Sequence, residues 1–186
     1  MSLAPEVTAT AIPDVLRIRP RLIEDERGFF FESWNAQTFS QEGLEARFVQ
    51  DNHSQSTAGC LRGLHYQIDR AQGKLVRAVV GEIYDVAIDL RRSSSSFGQW
   101  VGATLSATNR EMLWVPPGFA HGFYVVSEEA EVLYKCTDFY SPGAERTVIW
   151  DDPDLAIDWP LTSNLPPKVS AKDAAGVRFQ AAECFP

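Results

Sequence analysis

Cysteine is scarce in this 186-residue chain, and so is histidine, with three of each. Cys60, Cys136 and Cys184 are odd in number, and their spacing matches neither a zinc site nor a redox pair. They read as free thiols in a reducing cytoplasm. Basic residues are also few: 17 Lys and Arg stand against 25 Asp and Glu, a net charge of −8, and the isoelectric point is about 4.9. So acidic a chain lacks the basic footprint that nucleic acid or an anionic membrane surface requires. Neither is expected as a partner, and an anionic ligand would need Arg and Lys gathered locally. No apolar run reaches the length of a membrane span. The start, MSLAPEVTATAIPDV, has no charged residue leading into an apolar stretch, so no signal peptide is read there. Cofactor motifs are missing as well. There is no Gly-x-Gly-x-x-Gly opening a helix, no phosphate loop ending in Gly-Lys-Ser/Thr, and no Gly-x-Ser-x-Gly elbow; Gln72-Gly73-Lys74 is too short to count.

What is present is strand pattern. Apolar residues make up 45% and charged residues 23%, ordinary for one globular domain over residues 1–186. No repeat, low-complexity block or linker divides it; the only serine run, Ser93 to Ser96, is loop-sized. From Tyr84 the residues Tyr84, Val86, Ile88 and Leu90 alternate with Asp85, Ala87 and Asp89, which predicts a half-buried strand. Lys74 to Val80 precede it, and Gly81-Glu82 between them predicts a tight hairpin turn. Further β-like runs fall at 15–23, 29–34, 47–54, 60–67, 112–117, 121–126, 131–140 and 146–150. One helix is predicted from Asn35, as N-cap, to Gly43, as stop. Many short strands argue for a sandwich, jelly roll or closed barrel, folds that can hold a ligand in the mouth or lumen.

The polar residues inside these runs are candidates for chemistry. His53, His65 and His121 each lie in a β-like run. A metal-binding barrel of this kind would use two histidines one residue apart with a carboxylate, but here the segment reads His65-Tyr66-Gln67 and the second ligand is missing. The remaining residue types suit proton transfer: His as base, Tyr134 as acid, Lys74 beside a developing oxyanion, and Arg for phosphate. A strand tyrosine is more often core, and a lysine at a strand start is more often a solvated end, so no one of these residues decides the matter alone.

Taken in order, the strings DERGFFFES (25–33), FVQDNHS (48–54), LRGLHYQ (61–67), QGKLVRAVVGEIYDVAIDLR (72–91), FGQWVGATLSATN (97–109), WVPPGFAHGF (114–123), LYKCTDFYSPGAE (133–145) and WPL (159–161) resemble the dTDP-4-dehydrorhamnose 3,5-epimerase family. The match runs from about Ile12 to Lys172-Asp173. The resemblance implies an all-β fold, a cupin-type jelly-roll barrel with a few short helices. It also implies a homodimer, no metal or nucleotide cofactor, and a dTDP-4-keto-6-deoxy sugar as substrate on the way to dTDP-L-rhamnose. Carried over residue by residue, it implies His65 as the base, Asp173 as its paired carboxylate, Tyr134 as the acid on the opposite face, and Lys74 beside the enolate. Arg62 and His121 match residues around the substrate; Arg27, Glu32, Gln50, Asn52, Glu145 and Lys172 match other binding positions. Arg27, Arg62 and Lys172 would answer the diphosphate. The serine run 93–96 stands where the family commonly has a proline-containing turn and is read as loop drift.

One geometric demand follows. Arg62 and His65 differ by three, so a regular strand would point them to opposite faces; a kink or bulge at Gly63 is needed to bring both to one pocket. Related alternatives are an epimerase acting at one carbon only, a non-catalytic sugar-nucleotide-binding barrel, and a metal-dependent cupin.

Overall fold

The computed structural model describes residues 3–162 and 166–186. Thirteen strands are found among them: β1 (Glu6–Ala9), β2 (Leu16–Arg19), β3 (Ile23–Asp25), β4 (Gly28–Phe30), β5 (Gln50–Thr57), β6 (Leu61–Gln67), β7 (Lys74–Val80), β8 (Glu82–Asp89), β9 (Trp100–Ser106), β10 (Met112–Val115), β11 (Phe119–Val125), β12 (Glu129–Cys136) and β13 (Glu145–Thr147). Two short helices, α1 (Ala36–Gln41) and α2 (Ala171–Ala174), and a 3-10 turn at Phe179–Ala181 complete the elements. Asn35 caps α1 as expected, its side-chain oxygen accepting from the amides of Gln37 and Thr38. Gly43 follows the helix at φ +88°, which ends it. The run 15–23 divides into β2 and β3 around Pro20, which has no amide hydrogen for a ladder.

The strands form a six-stranded sheet, β1-β2-β10-β7-β12-β5, and a five-stranded sheet, β13-β6-β11-β8-β9, with β3-β4 a separate ribbon. The core lies in three layers. Between the sheets pack Val76, Ala78, Leu113, Val115 and Val132 of the first and Ile83, Ala87, Val101, Phe119 and Phe123 of the second. Behind the second sheet, Leu61, Leu64, Val86, Ile88 and Tyr124 meet Trp159 and the C-terminal segment. Over the outer face of the first sheet, Phe39 of α1 packs with Trp34, which in turn meets Phe48 edge-on; Phe48 meets Trp114. Each large side chain fully buried in this way contributes roughly 1.5–3 kcal/mol.

Two local expectations are corrected. Gly81-Glu82 joins β7 to β8, but these strands lie in different sheets. The turn is a corner, not a hairpin: the chain leaves one sheet and enters the other. Gly81 has φ +68°, and a Cβ there would fall 1.9 Å from the Glu129 carbonyl oxygen, so the corner requires glycine. Strand β8 is not half-buried either. Val86 and Ile88 pack outward, and the opposite face, with Asp85, Ala87 and Asp89, is wholly buried between the sheets. Buried carboxylates need partners. Asp89 has Arg91, whose Nε and Nη2 donate at 2.9 and 2.7 Å, and Ser96, whose hydroxyl donates at 2.7 Å. Ser96 belongs to the serine run, so that loop serves to satisfy Asp89.

The bulge that the site requires is present in β6. His65 pairs with His121 of β11 and Arg62 with Phe123, so three steps along β6 match two along β11. Gly63 holds φ +118°. A Cβ on Gly63 would stand 2.6 Å from the Gly122 Cα, and one on Gly122 would stand 2.6 Å from the Arg62 carbonyl oxygen. Gly63→Ala is therefore expected to lose roughly 2–4 kcal/mol through strained φ and steric overlap. Gly143→Ala, whose added Cβ meets nothing within 4 Å, is expected to stay within about 0.5 kcal/mol. Urea denaturation of both variants checks this pair.

Candidate active site

The two sheets and the C-terminal segment enclose a cavity of about 550 Å³. Its wall takes His65 and Arg62 from β6, His121 from β11, Lys74 from β7, Tyr134 from β12, Glu145 from β13, and Lys172 and Asp173 from α2. An adjoining pocket of about 240 Å³ shares His65, Lys74, Tyr134 and Glu145 and adds Gln50 and Asn52 of β5. Ten of the twelve residues expected at the site thus converge. The other two do not. Arg27 is exposed in the β3–β4 turn, bound to Asp25. Glu32 accepts from the Asn35 side chain at 3.0 Å beside the start of α1. Neither lines the cavity of its own chain.

His65 is the partly accessible member of a buried pair. Its Nε2 lies 2.5 Å from Asp173 Oδ1, with side-chain exposures of 29% for His65 and 5% for Asp173. Asp173 is placed by local sequence: Ser170 caps α2, its hydroxyl accepting from the Asp173 amide at 3.1 Å. Burial alone would raise the Asp173 carboxyl, but its hydrogen bond and charge interaction with His65, with Ser170 and the Gly63 amide, outweigh that and hold it below the ordinary carboxylate value. A carboxylate there fixes the hydrogen of the neutral ring on Nε2 and leaves Nδ1 as the nitrogen able to take a proton.

Tyr134 faces this pair from the other sheet. Burial pushes its phenol up, Cys136 and Glu145 add to the effect, and Arg62 opposes it. The hydroxyl is therefore protonated at neutral pH and can act as an acid. Lys74 is buried and comes within 3.5 Å of the His65 carbonyl oxygen. Burial lowers its pKa, while Cys136, Asp85 and Glu145 oppose the shift. Its Nζ is a poorly solvated donor, suited to a charge that develops on a ligand oxygen.

Pattern reading missed several contributors. Asp85 is the main one: His121 Nε2 lies 2.9 Å from both of its oxygens, and Asp85 is 0% exposed. Burial lowers the His121 pKa, the Asp85 charge opposes that, and Lys74 and His65 lower it further. A neutral ring donates its Nε2 hydrogen to the carboxylate. Assigning β8 a solvent face hid Asp85. Tyr140, half exposed at the mouth, donates to Glu145 Oε2 at 2.6 Å, and Lys172 Nζ meets the same oxygen at 2.5 Å. Ser54 and Lys168 also line the cavity. Ser54 was foreshadowed by alternation, lying two residues beyond Asn52 on the same face of β5. Among the described residues, no group of three His, Cys, Asp or Glu side chains could hold a metal ion.

The family model for dTDP-4-dehydrorhamnose 3,5-epimerase matches residues 9–181. The chain belongs to that family. It is 58% identical to the dTDP-4-dehydrorhamnose 3,5-epimerase of Pseudomonas aeruginosa, over 97% of this chain and 99% of the relative. The crystal structure of dTDP-6-deoxy-D-glucose-3,5-epimerase from Legionella pneumophila, in complex with dTDP-4-keto-L-rhamnose, superposes with a TM-score of 0.92. It is 48% identical and covers 96% of this chain and 95% of that one. The cupin-like fold of the epimerases is thereby the fold of this chain. A 3'-monoepimerase from Streptomyces bikiniensis, in complex with dTDP-quinovose, shares the fold at a TM-score of 0.85 but only 29% identity, covering 92% and 87% of the two chains. Within the 3,5-epimerase site, Asp85→Ala is expected to cost about 2–4 kcal/mol, since it strands the buried His121 donor and removes a counter-charge from Lys74. Asp85→Asn, which still accepts from Nε2, is expected to cost less. Urea unfolding of the two variants at neutral pH checks that order.

Proposed function

We propose that this epimerase inverts carbons 3 and 5 of dTDP-4-keto-6-deoxyglucose on the route to dTDP-L-rhamnose, using side chains alone. The observation that carries the reading is that a His–Asp pair and a protonated tyrosine line one cavity from opposite sheets. Both carbons flank the 4-ketone, so loss of either proton gives an enolate. His65 takes the proton at carbon and becomes imidazolium, which the Asp173 carboxylate stabilises. Lys74 offsets the charge on the enolate oxygen. Tyr134 delivers its hydroxyl proton to the other face of the same carbon, which inverts the centre. The tyrosinate regains a proton from solvent and the imidazolium gives one up. No electrons leave the substrate. Arg62, His121, Gln50, Asn52, Glu145 and Lys172 surround the sugar and diphosphate in this reading, and Tyr140 offers an aromatic wall at the mouth. Three free cysteines with no disulfide among them support a reducing, cytoplasmic setting. No helix among the described residues is long and apolar enough to cross a membrane.

The homodimer belongs to the same proposal. Arg27 and Glu32 lie outside the cavity of their own chain, yet the ribbon that bears Arg27 also exposes Ile23, Phe29 and Phe30 at 50–59%. Exposed apolar residues beside a cation paired only within its own turn, with Asp25, suit a contact that carries the ribbon to a second chain's cavity. Light scattering is expected to give twice the 20.7 kDa chain mass. Arg27→Ala and His65→Asn chains, each inactive or nearly so alone, are expected to regain about a quarter of wild-type activity when unfolded and refolded together, because half the dimers are mixed and one of their two sites is intact. No gain on mixing would place Arg27 in a role within its own chain.

The reaction itself is tested in deuterated water with dTDP-4-keto-6-deoxyglucose. Label is expected at both carbon 3 and carbon 5, and the coupled reductase with NADPH is expected to yield dTDP-L-rhamnose. Label at one carbon alone would mean a single-centre epimerase. His65→Asn is expected to lower kcat by about 10²–10⁴ and to abolish exchange. Tyr134→Phe is expected to keep exchange while losing inversion, because His65 can return a proton only to the face it came from.

A further inference from the structure

Gln67 holds the place where a metal-binding barrel of this kind would carry its second histidine. It lies two residues beyond His65, so both side chains leave β6 on the same face, and both line the adjoining pocket. Gln67 is only 4% exposed, and its amide makes three hydrogen bonds. Nε2 donates to the carbonyl oxygens of Arg70 at 2.9 Å and Phe139 at 3.3 Å, and Oε1 accepts from the Ser141 amide at 2.8 Å. Two donations and one acceptance from a single side chain suit an amide. A carboxylate cannot donate, and an apolar side chain does neither.

All three partners are backbone groups outside β6. Arg70 belongs to the turn between β6 and β7, where it holds φ +58°. Phe139 and Ser141 flank Tyr140 in the loop between β12 and β13. Tyr140 is itself anchored from the other sheet: its amide donates to Gln50 Oε1 of β5 at 2.9 Å, and its hydroxyl donates to Glu145 Oε2 at 2.6 Å. Two glutamines, one from each sheet, thus hold residues 139–141, and the middle residue stands half exposed at the cavity mouth. The other side-chain ties, Gln72 Nε2 on the Asp138 carbonyl at 2.8 Å and Arg70 Nη2 on the Asp138 carboxylate at 2.6 Å, fix only the start of the loop.

We propose that Gln67 is a positioning residue for ligand binding, acting through the backbone on either side of Tyr140. His65 and Gln67 leave one strand two residues apart, so the strand that carries His65 also sets where Tyr140 stands relative to it. Gln67 then governs how tightly the nucleotide sugar is held and leaves the proton-transfer groups as they are. This rests on the reading above that Tyr140 forms a wall at the mouth.

The test is a double-mutant cycle of Gln67→Ala and Tyr140→Ala. Calorimetric binding of dTDP, steady-state kinetics and urea unfolding are measured on wild type, both single variants and the pair. Tyr140→Ala is expected to weaken dTDP about tenfold or more, and Gln67→Ala about fivefold or more. In Gln67→Ala, KM is expected to rise in step while kcat stays within about twofold. Its unfolding midpoint is expected to fall, because three backbone groups lose their partner; the coupling is what separates positioning from stability. In the Tyr140→Ala background, Gln67→Ala is expected to weaken dTDP by less than about twofold further. Gln67→Glu keeps the acceptor for Ser141 but cannot donate when ionised. It takes the place of Gln67→Ala in the cycle if that chain does not stay folded, and its affinity relative to wild type is expected to recover as the pH falls and the carboxyl gains a proton. Wild-type affinity in the Gln67 variant overturns the proposal. So does an undiminished Gln67 effect in the Tyr140→Ala background, which would place its action elsewhere. Wild-type affinity in Tyr140→Ala overturns the reading of Tyr140 itself, a result distinct from a silent Gln67 variant, and removes the proposal with it.

Discussion

Where β6 and β11 run side by side, two backbones approach more closely than any side chain allows. A Cβ on Gly63 or on Gly122 would fall 2.6 Å from an atom of the facing strand, so both positions are held to glycine. The extra residue this admits in β6 changes its phase. Before the bulge the strand presents Arg62 to the cavity; after it the strand presents His65, while Leu64 and Tyr66 stay in the outer core. Without that shift, His65 and Arg62 would lie on opposite sides of the sheet. The same bulge puts the Gly63 amide on Asp173, so one backbone irregularity positions His65, Asp173 and Arg62 together.

The cavity also concentrates charge that water does not reach. Lys74, Asp85, His121 and Asp173 are all less than a tenth exposed. Each is tolerable only because another compensates it: Asp85 holds the His121 ring and opposes the desolvation of Lys74, and Asp173 is held by His65. Removing one member leaves its partner buried and unpaired. The arrangement costs stability, and in exchange the Lys74 amine and the His121 ring lie at fixed positions before any ligand arrives. That is the condition under which a developing enolate charge is met without reorganisation.

How much of this could be read from the chain depends on the range of each interaction. The α1 cap and stop, set by Asn35 and Gly43, involve neighbours in sequence and were legible. So was the need for an irregularity at Gly63, because a two-residue period cannot place Arg62 and His65 together. Gly81 was misread because the residue types that make a hairpin also make a corner; which one forms depends on later strands taking the places beside them, β10 and β12 beside β7, β9 and β11 beside β8. Asp85 was assigned to solvent because alternation says only that two faces differ, not that one is wet. Its partner, His121, lies 36 residues away. Arg27 and Glu32 carried the family pattern, yet both lie outside the cavity of their own chain, which no pattern within the sequence foretells.

The two-sheet architecture bears directly on stereochemistry. Inversion at carbon needs a proton taken from one face and given to the other, and a single side chain cannot reach both. In the proposed mechanism the base, His65, stands on β6 of the five-stranded sheet and the acid, Tyr134, on β12 of the six-stranded sheet. Sheets packed face to face stand about 10 Å apart, room for a ring between two inward-pointing side chains. A base and acid on neighbouring strands of one sheet would meet the same face of the ring and could only exchange its proton. The second carbon adds a demand the sheets do not answer by themselves: the ring must present carbon 3 and carbon 5 in turn to one His65 and one Tyr134. Both flank the same carbonyl, so a tilt of the ring about its 4-oxygen, kept near Lys74, exchanges them with little displacement of the diphosphate. An anchor on the diphosphate, the role proposed for Arg62, would permit that tilt while limiting slippage along the cavity. Whether both centres invert then depends on how far the ring can tilt between Tyr134 and His65, more than on which groups are present.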